Sequence, residues 1–393
     1  MSAIPAATTL SAVLAPTAEA HGLPNAVYTS DDYFERERDT VFARTWACIG
    51  RGSDAPRPGD VYPVSLMGFP LVLVRDEQGA LRVFHNVCSH RGNRLVAEPC
   101  RVAGALRCPY HSWTYRLDGT LKGTPHIGGI GKHELAGFEH EKHGLRPVRS
   151  AEWLDLVFVN LSSGAPAFET HVAPLVQRWS SFVTDQDLTA LATGQSHARI
   201  DMELGANWKL AVENFCESYH LPWVHPGLNK RSRLEDHYHI LGEDQFAGQG
   251  TLVYDPDYLD GERFPLFDHW PEDRRTCAEY VALFPNVWIG LHVDHVYTVI
   301  LRPEAKDRTV ESFQFYYLGE GAGERFANKR ATSLAAWHEV FAEDIGVVEG
   351  MQKGRASPAF LGGVFSPVMD EPTHSFHRWV ARRLLESDGG QGS

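Results

Sequence analysis

Cys88-Ser89-His90 and Cys108-Pro109-Tyr110-His111, separated by seventeen residues, decide how this chain is interpreted. Each segment supplies one thiol and one imidazole to a four-ligand metal site. Two sulfur and two nitrogen ligands suit either a tetrahedral zinc ion or an iron–sulfur cluster in which two histidines replace two cysteines on one iron. Zinc sites of mixed ligation usually present their cysteines together and their histidines together. The alternation therefore favours the cluster, with zinc as the alternative.

The residues around these ligands carry a family resemblance. The blocks Asn86–Asn93 and Cys108–Tyr115 resemble the signatures of Rieske-type non-haem iron oxygenase large subunits, which usually have glycine where Ser112 stands. The resemblance implies a Rieske [2Fe-2S] cluster. Its expected ligands are Cys88, His90, Cys108 and His111.

Size and charge restrict the function. A chain of 393 residues is long enough for two domains. A formal charge of −13 and the lack of a basic run predict that nucleic acid is not a partner. No apolar run reaches eighteen residues, so no membrane span is expected. The N-terminus lacks the features of a signal peptide, and the cysteines outside the cluster motif are interpreted as buried free thiols, so a cytoplasmic location is expected.

The pattern along the chain predicts an α+β protein. Residues 1–46 form a leader and a helix that packs on the catalytic domain. Residues 47–161 alternate short apolar runs with turn pairs and predict an all-β Rieske domain. Residues 162–393 mix both periodicities and predict a catalytic domain with an antiparallel sheet covered by helices.

A second metal site is predicted in the catalytic domain. Residues 208–220 form a predicted helix on which Glu217 and His220 share one arc with Glu213. Pro222 ends this helix, so His225 comes from a turn and the two imidazoles can converge.

The third ligand is expected on a predicted helix over residues 325–352. Asp344 lies at the edge of its inward stripe, whereas Glu343 and Glu349 are expected to face solvent. A carboxylate among apolar neighbours is costly unless it is paired or metal-bound. A salt bridge to arginine is the alternative. Metal binding is favoured because His220, His225 and Asp344 would form the two-histidine, one-carboxylate triad that holds Fe(II).

The resemblance extends from about Tyr28 to Arg383. It implies His220, His225 and Asp344 as ligands of a mononuclear Fe(II), with Glu217 and Asn214 as catalytic side chains. In the family, the acid at position 217 bridges a cluster histidine of one subunit and an iron-ligand histidine of its neighbour. A homo-oligomeric ring, commonly a trimer, is therefore expected.

The chemistry implied is oxidation of a small molecule by O2. No Gly-x-Gly-x-x-Gly fingerprint follows a predicted strand, so electrons must come from a separate NAD(P)H-dependent reductase, with or without a ferredoxin. The outcome would be hydroxylation, dihydroxylation or hydroxylation-driven demethylation. A Rieske electron-transfer protein without oxygenase activity is the non-enzyme alternative.

The substrate is indicated by fewer residues. In having glutamate at position 217, the chain resembles the carnitine, glycine betaine and proline betaine oxygenases. Ring-hydroxylating members of the family generally have aspartate at this position. This favours a small polar substrate such as a quaternary ammonium compound, with hydroxylation of an aromatic acid as the alternative. His292, His295 or Arg263 could orient a carboxylate. The candidate pocket aromatics, with core packing as their alternative role, are Tyr254, Tyr258, Phe264, Phe267 and Trp270.

Overall fold

The computed structural model divides into two compact units. One comprises Met1–Val41 with Pro166–Ser393, and the other comprises Phe42–Ala165. The structure describes residues 9–194, 199–242, 244–255 and 262–389. The smaller unit is therefore an insertion in the sequence of the larger one.

The smaller unit is built from antiparallel strands, as predicted. Its strands are β1 (Ala47–Arg51), β2 (Asp60–Leu66), β3 (Phe69–Arg75), β4 (Leu81–His85), β5 (Cys100–Arg101), β6 (Ala105–Arg107), β7 (Thr114–Arg116), β8 (Leu121–Gly123), β9 (Arg149–Trp153) and β10 (Leu156–Asn160). They form sheets in the orders β4-β3-β2-β5, β1-β10-β9 and β6-β7-β8. The apolar run of β3 is buried from Leu71 to Val74. A hairpin at Met67 and Gly68, which both have positive φ, joins it to β2 in the register that this two-residue turn favours.

The larger unit contains one antiparallel sheet. Its described strands are β11 (Leu191–Ala192), β12 (Arg199–Leu204), β13 (His237–Gly242), β14 (Phe246–Thr251), β15 (Ala278–Leu283), β16 (Val287–Leu291), β17 (His295–Ala305) and β18 (Arg308–Leu318). They follow the order β11-β18-β17-β16-β15-β14-β13, and β12 also pairs with β18. The sheet places residues that are far apart in sequence side by side.

Helices complete the larger unit and confirm the α+β class. They are α1 (Ala26–Thr29), α2 (Asp31–Glu37), α3 (Phe168–Trp179), α4 (Asp185–Thr189), α5 (Trp208–Cys216), α6 (Leu221–Val224), α7 (Pro226–Asn229), α8 (Ala327–Arg355) and α9 (Glu371–Gly389). Short 3-10 or π turns occur at Ala12–Leu14, Arg38–Phe42, Gly52–Asp54, His140–His143, Leu234–Asp236, Glu272–Arg274, Gly319–Ala322 and Glu324–Phe326. Within the described residues, none of the helices has both the length and the apolar character that crossing a membrane requires.

Buried ion pairs fix α5 against its neighbours. Lys209 Nζ donates to Glu37 Oε1 at 2.5 Å, and both side chains are fully buried. Glu213, near the other end of α5, accepts a hydrogen bond from the Tyr28 hydroxyl and lies 3.3 Å from Arg355 Nη2. Breaking a buried pair by removing one partner costs several kcal/mol, commonly about 3–5. These contacts connect α5 to α1, α2 and α8 and therefore fix the positions of the helices around the predicted iron site relative to each other.

Candidate cluster and iron sites

Two loops of the smaller unit repeat one backbone arrangement, and each carries a predicted cysteine and histidine pair. The Cys88 carbonyl accepts a hydrogen bond from the Gly92 amide and the Cys108 carbonyl accepts one from the Ser112 amide, each at 3.0 Å. Gly92 and Ser112 have left-handed backbones with φ of 71° and 60°. A side chain in that conformation costs roughly 1 kcal/mol or more. The backbone therefore explains the family's preference for glycine at the position of Ser112.

The four predicted cluster ligands differ in exposure. Cys88 and Cys108 are buried, His111 is half-buried and His90 is exposed. The two imidazole centroids lie 4.7 Å apart, and the Trp113 indole stacks on His90 at 4.6 Å. His111 Nδ1 is buried and has no hydrogen-bond partner among the described residues, so it is available to iron. The donor set fits a two-iron cluster with its thiolate side inside and its imidazole side near the surface.

Tyr115 places a hydroxyl group against one of the predicted cluster sulfurs. The side chain is fully buried, and its oxygen lies 3.0 Å from Cys88 Sγ. The Ser89 amide donates to the same oxygen at 3.1 Å, and the Ser89 hydroxyl, also 3.0 Å away, donates to the His143 carbonyl. A thiolate is a stronger acceptor than a neutral hydroxyl because it is charged. The Tyr115 proton is therefore directed to the sulfur when iron is bound.

Replacing Tyr115 with phenylalanine is expected to lower the reduction potential of the cluster. A hydrogen bond to a cluster sulfur stabilises the reduced, more negative state. A loss of about 1 kcal/mol corresponds to roughly 40 mV for a one-electron couple. A redox titration followed in the visible spectrum measures the change, and Tyr62→Phe, at a half-buried tyrosine of β2, is the matched control. Equal potentials in Tyr115→Phe and the unmodified protein would contradict this assignment.

Glu217 and His220 follow α5 but do not continue it. The helix ends at Cys216, and Glu217 has extended backbone angles. The Glu217 carboxylate accepts hydrogen bonds from the Tyr219 and His220 amides, and its Oε1 lies 2.6 Å from His220 Nδ1. The predicted helix through His220 is therefore wrong, because side-chain hydrogen bonds at this turn replace helical ones. With Nδ1 held by a carboxylate, His220 has Nε2 available for a metal.

His225 is held in the same way by an acid that the sequence analysis placed on the solvent side. The imidazole is 2% exposed, and its Nδ1 lies 2.7 Å from Glu343 Oε2. Glu343 is exposed, as predicted, but its carboxylate also holds the His225 imidazole, a role that the helical pattern did not indicate. Carboxylates that hold metal-binding imidazoles fix the ring orientation and raise its basicity. Direct adjacency to Asp344 was the signal that could have identified Glu343.

Asp344 completes the group. Its Oδ1 lies 3.0 Å from His225 Nε2 and 3.7 Å from His220 Nε2, and it accepts a hydrogen bond from Asn214 Nδ2 at 3.1 Å. One ligand atom of each histidine and of Asp344 lies within 4.8 Å of the other two. Among the described residues, the side-chain partners of Asp344 are His220, His225 and Asn214, so the predicted alternative of a salt bridge to arginine is not observed there. The arrangement can hold one metal ion.

The charges around this group favour a cation. Burial disfavours the imidazolium form of His225, but the Asp344 and Glu343 carboxylates outweigh burial and raise the pKa of His225. Glu217 adds a third carboxylate beside His220. Two imidazoles among three acids therefore form a negatively charged centre, which a divalent cation would balance. The donor set thus fits the triad that binds Fe(II).

His220, His225 and Asp344 line an open cavity with an empty volume of about 740 Å³, which includes part of the solvent at its mouth. The cavity's aromatic walls come from α5, α8 and the strands β15, β16 and β17. Their members are Phe215, Tyr280, Trp288, Tyr297, Trp337 and Phe341. Phe215 and Trp288 stack at 4.5 Å, and the Tyr297 and Trp337 centroids lie 4.9 Å apart. Apart from the triad, the polar lining consists of Asn214, Ser232, His237, Gln249 and Glu311.

These walls are not the aromatics that the sequence analysis singled out. Tyr254 packs on His292 and Trp337, Phe264 packs on Tyr317 and Phe326, and Phe267 and Trp270 pack together. All four have a core-packing role, and Tyr258 lies outside the described residues. The candidate carboxylate partners also do not line the cavity, since His292 and His295 stack on each other inside the unit and Arg263 is exposed.

Two protein-family models match the chain. A Rieske [2Fe-2S] domain model matches residues 45–135, which include both ligand loops. A model of the ring hydroxylating alpha subunit, catalytic domain, matches residues 191–386, which include Glu217, His220, His225 and Asp344. The first match supports the iron–sulfur interpretation over zinc.

Relatives with assigned activities cover most of the chain. The glycine betaine monooxygenase oxygenase subunit of Chromohalobacter salexigens is 33% identical, over 93% of this chain and 86% of its own length. The carnitine monooxygenase oxygenase subunit of Acinetobacter pittii is 28% identical, over 86% of each chain. The fold is similar to that of a solved quaternary ammonium Rieske monooxygenase, whose structure was described for carnitine oxidation and inter-subunit electron transfer. The TM-score is 0.78 at 22% identity, and the match covers 96% of this chain and 99% of the other.

Proposed function

The chain belongs to the Rieske-type non-haem iron oxygenase alpha subunits, and from this premise we propose that it hydroxylates a small quaternary ammonium compound. It is an oxidoreductase with a Rieske [2Fe-2S] cluster and a mononuclear iron, and it works with a reductase partner. The observation that carries the proposal is that two imidazole nitrogens and a carboxylate oxygen meet at the wall of an aromatic cavity.

The geometry supports the following proposal for the site residues. The cluster ligands are Cys88, His90, Cys108 and His111, and the iron ligands are His220, His225 and Asp344. When bound, the mononuclear iron supplies the activation of O2 with electrons delivered by the cluster. Glu217 and Glu343 keep the two imidazoles oriented, and Asn214 orients the Asp344 carboxylate.

The cavity walls support a quaternary ammonium substrate. Aromatic faces attract cations by about 0.5–2 kcal/mol each, and desolvation strengthens the attraction. Relatives that carry out glycine betaine and carnitine oxidation support the same class. The reaction combines one O2, two electrons and two protons with the substrate, and yields a hydroxylated product and water. A hydroxyl group placed on an N-methyl carbon would release formaldehyde and the demethylated amine.

Electron delivery is proposed to cross between subunits of a homotrimer. The electrons would enter from an NAD(P)H-dependent reductase, directly or through a ferredoxin. Glu217 holds His220 on one side and keeps 15% of its side chain exposed. Tyr219 and Trp223, on either side of His220 in the sequence, are 45% and 71% exposed. Such exposed aromatics beside a buried site are typical of a surface that a partner covers, which supports docking of a neighbour's Rieske unit here.

Coupled oxygen consumption tests the proposed function. The protein, loaded with iron and supplied with an electron donor, is given glycine betaine, carnitine, choline and simple aromatic acids in separate reactions. We expect O2 uptake matched by product for at least one quaternary ammonium compound, with ¹⁸O from ¹⁸O2 in the product or in the formaldehyde released. Coupled turnover of aromatic acids alone would reject the substrate class and favour the aromatic alternative.

A further inference from the structure

Glu311 is an acid on a sheet face whose neighbouring side chains are apolar and partly aromatic. It lies on β18, where side chains alternate between the two faces, so it shares a face with Phe313 and Phe315. Directly opposite Phe315 on β17 is Tyr297, and the Phe313 ring packs 4.1 Å from Phe341 of α8. Glu311 therefore ends an aromatic row beneath α8 and lines the cavity next to the iron-site residues.

Among the described residues, no protein group pairs with the Glu311 carboxyl. Its residue is 6% exposed, and among the described residues no side chain or backbone amide forms a hydrogen bond or an ion pair with its carboxyl. Burial, and secondarily the charge of Asp344, raise the pKa of Glu311 to about 8. An unpaired buried carboxylate is costly, and such groups are usually paired with a cation or a donor. The missing partner is therefore expected to be a ligand of the cavity.

Glu311 differs from the other acid of the cavity in what it can bind. Asp344 faces His220 and His225, so a metal ion at the triad would occupy it. The remaining cavity-lining residues in the described part of the chain contain no lysine or arginine. A cation inside the cavity would therefore meet aromatic faces and one uncommitted carboxylate, whereas an anion would meet no lysine or arginine side chain among these residues.

We propose that the Glu311 carboxylate is the counter-ion for the ammonium group of the substrate and makes the cavity selective for a cation over an uncharged group of the same shape. The inference rests on the proposed function and assigns its charge selectivity to one residue. The aromatic rings already favour a trimethylammonium group over a tert-butyl group, which fills the same volume, and the charge of Glu311 would add to that preference. A bound ammonium group lowers the pKa of Glu311 and favours its ionised form, which then adds a full negative charge at close range.

Matched ligands that differ only in charge test the proposal. Glycine betaine and 3,3-dimethylbutanoate have the same shape, with nitrogen replaced by carbon, and choline and 3,3-dimethylbutanol form a second pair. Calorimetric dissociation constants are measured for each ligand with the iron-loaded protein. We expect the unmodified protein to prefer the ammonium member of a pair by at least about tenfold, and Glu311→Gln to lose about tenfold of that preference. The uncharged analogue 3,3-dimethylbutanol should bind both proteins equally, whereas the anion 3,3-dimethylbutanoate should bind Glu311→Gln at least as tightly as the unmodified protein.

The controls separate charge at the site from charge in general. Glu203 is exposed on β12, which pairs with β18, so Glu203→Gln removes the same charge outside the cavity and should leave the preference unchanged. Glu311→Asp keeps the charge and should keep most of the preference. Glu311→Ala removes it by another route if the glutamine variant does not fold, as judged by the cluster spectrum and the melting temperature.

The outcomes distinguish this inference from the proposed function. If the unmodified protein oxidises a quaternary ammonium compound but a folded Glu311→Gln or Glu311→Ala protein keeps the full ammonium preference, the role of Glu311 is rejected and the function stands. If no quaternary ammonium compound binds or is oxidised, the proposed function fails, and the inference with it.

Discussion

Replacing Asp344 with alanine is expected to abolish substrate oxidation while leaving the Rieske cluster intact. Among the described residues, Asp344 supplies the one carboxylate within 4.0 Å of both His220 Nε2 and His225 Nε2. Two neutral imidazoles alone hold Fe(II) poorly, because the remaining ligand and its charge are lost. Metal analysis should show a fall from about three iron atoms per chain to about two, since the cluster keeps two. The visible spectrum of the cluster should be unchanged.

The control for this substitution lies on the same helix. Glu339 is an exposed acid of α8, and Glu339→Ala should retain all the iron and the activity. An Asp344→Ala protein that keeps the mononuclear iron and oxidises substrate would overturn the assignment of the iron site. An electron-transfer protein would pass electrons to its acceptor equally well with or without Asp344, so full electron transfer without any turnover by the unmodified protein would favour that function.

The second large effect is expected from Glu217→Gln. Glutamine can still accept hydrogen bonds from the Tyr219 and His220 amides, so the turn should persist, but the negative charge beside His220 Nδ1 is lost. Removing the partner of a metal-binding imidazole typically costs 10- to 100-fold in metal affinity or activity. With iron in excess, the remaining defect should appear in electron delivery. Stopped-flow absorbance after mixing the reduced protein with substrate and O2 should show slower re-oxidation of the cluster, by roughly tenfold or more.

A nearby charge provides the comparison for Glu217. Glu235 is exposed in the segment that precedes β13, and Glu235→Gln should re-oxidise at the unmodified rate. If iron-saturated Glu217→Gln re-oxidised its cluster as fast as the Glu235 variant, Glu217 would only support the turn, and the proposed bridge between subunits would lose its acid.

Most of the predicted metal ligands could be found because they are close to each other in the sequence. Three pairs of ligands lie two to five positions apart in the sequence, so the local backbone strongly restricts how far apart their side chains can be. These pairs are Cys88 with His90, Cys108 with His111, and His220 with His225. The pairing of those histidines with Asp344, more than one hundred residues away, needed the inward stripe of α8 and the family resemblance. The structure brings all three together.

The helical wheel failed at α5 for a physical reason. It placed Glu213 on one arc with Glu217 and His220, but the helix ends at Cys216. Glu213 points to Tyr28 and Arg355 in the interior, whereas Glu217 faces His220. Glu217 accepts amide hydrogen bonds from the residues two and three positions later, as capping residues do. These local hydrogen bonds replace helical ones after Cys216.

The residues of the cavity walls could not be predicted from local sequence patterns. They combine Phe215, Tyr280, Trp288, Tyr297 and Trp337, which come from separate strands and helices. Strand alternation shows that such residues share a face, but the sheet order decides which faces meet. The aromatics predicted for the pocket, from Tyr254 to Trp270, pack in the core where the structure describes them, because burial stabilises aromatic side chains in any part of the core.

The ion pair between Glu37 and Lys209 has a consequence for synthesis of the chain on the ribosome. Glu37 leaves the ribosome 172 residues before its partner, a delay of roughly 10–30 s at ordinary translation rates. The inserted strands between them contain their own core and can fold during this interval. Helices α1 and α2 cannot pack in their final positions until Lys209 has emerged, because Glu37 would be buried without its partner. The inserted unit is therefore expected to become protease-resistant first in a nascent chain.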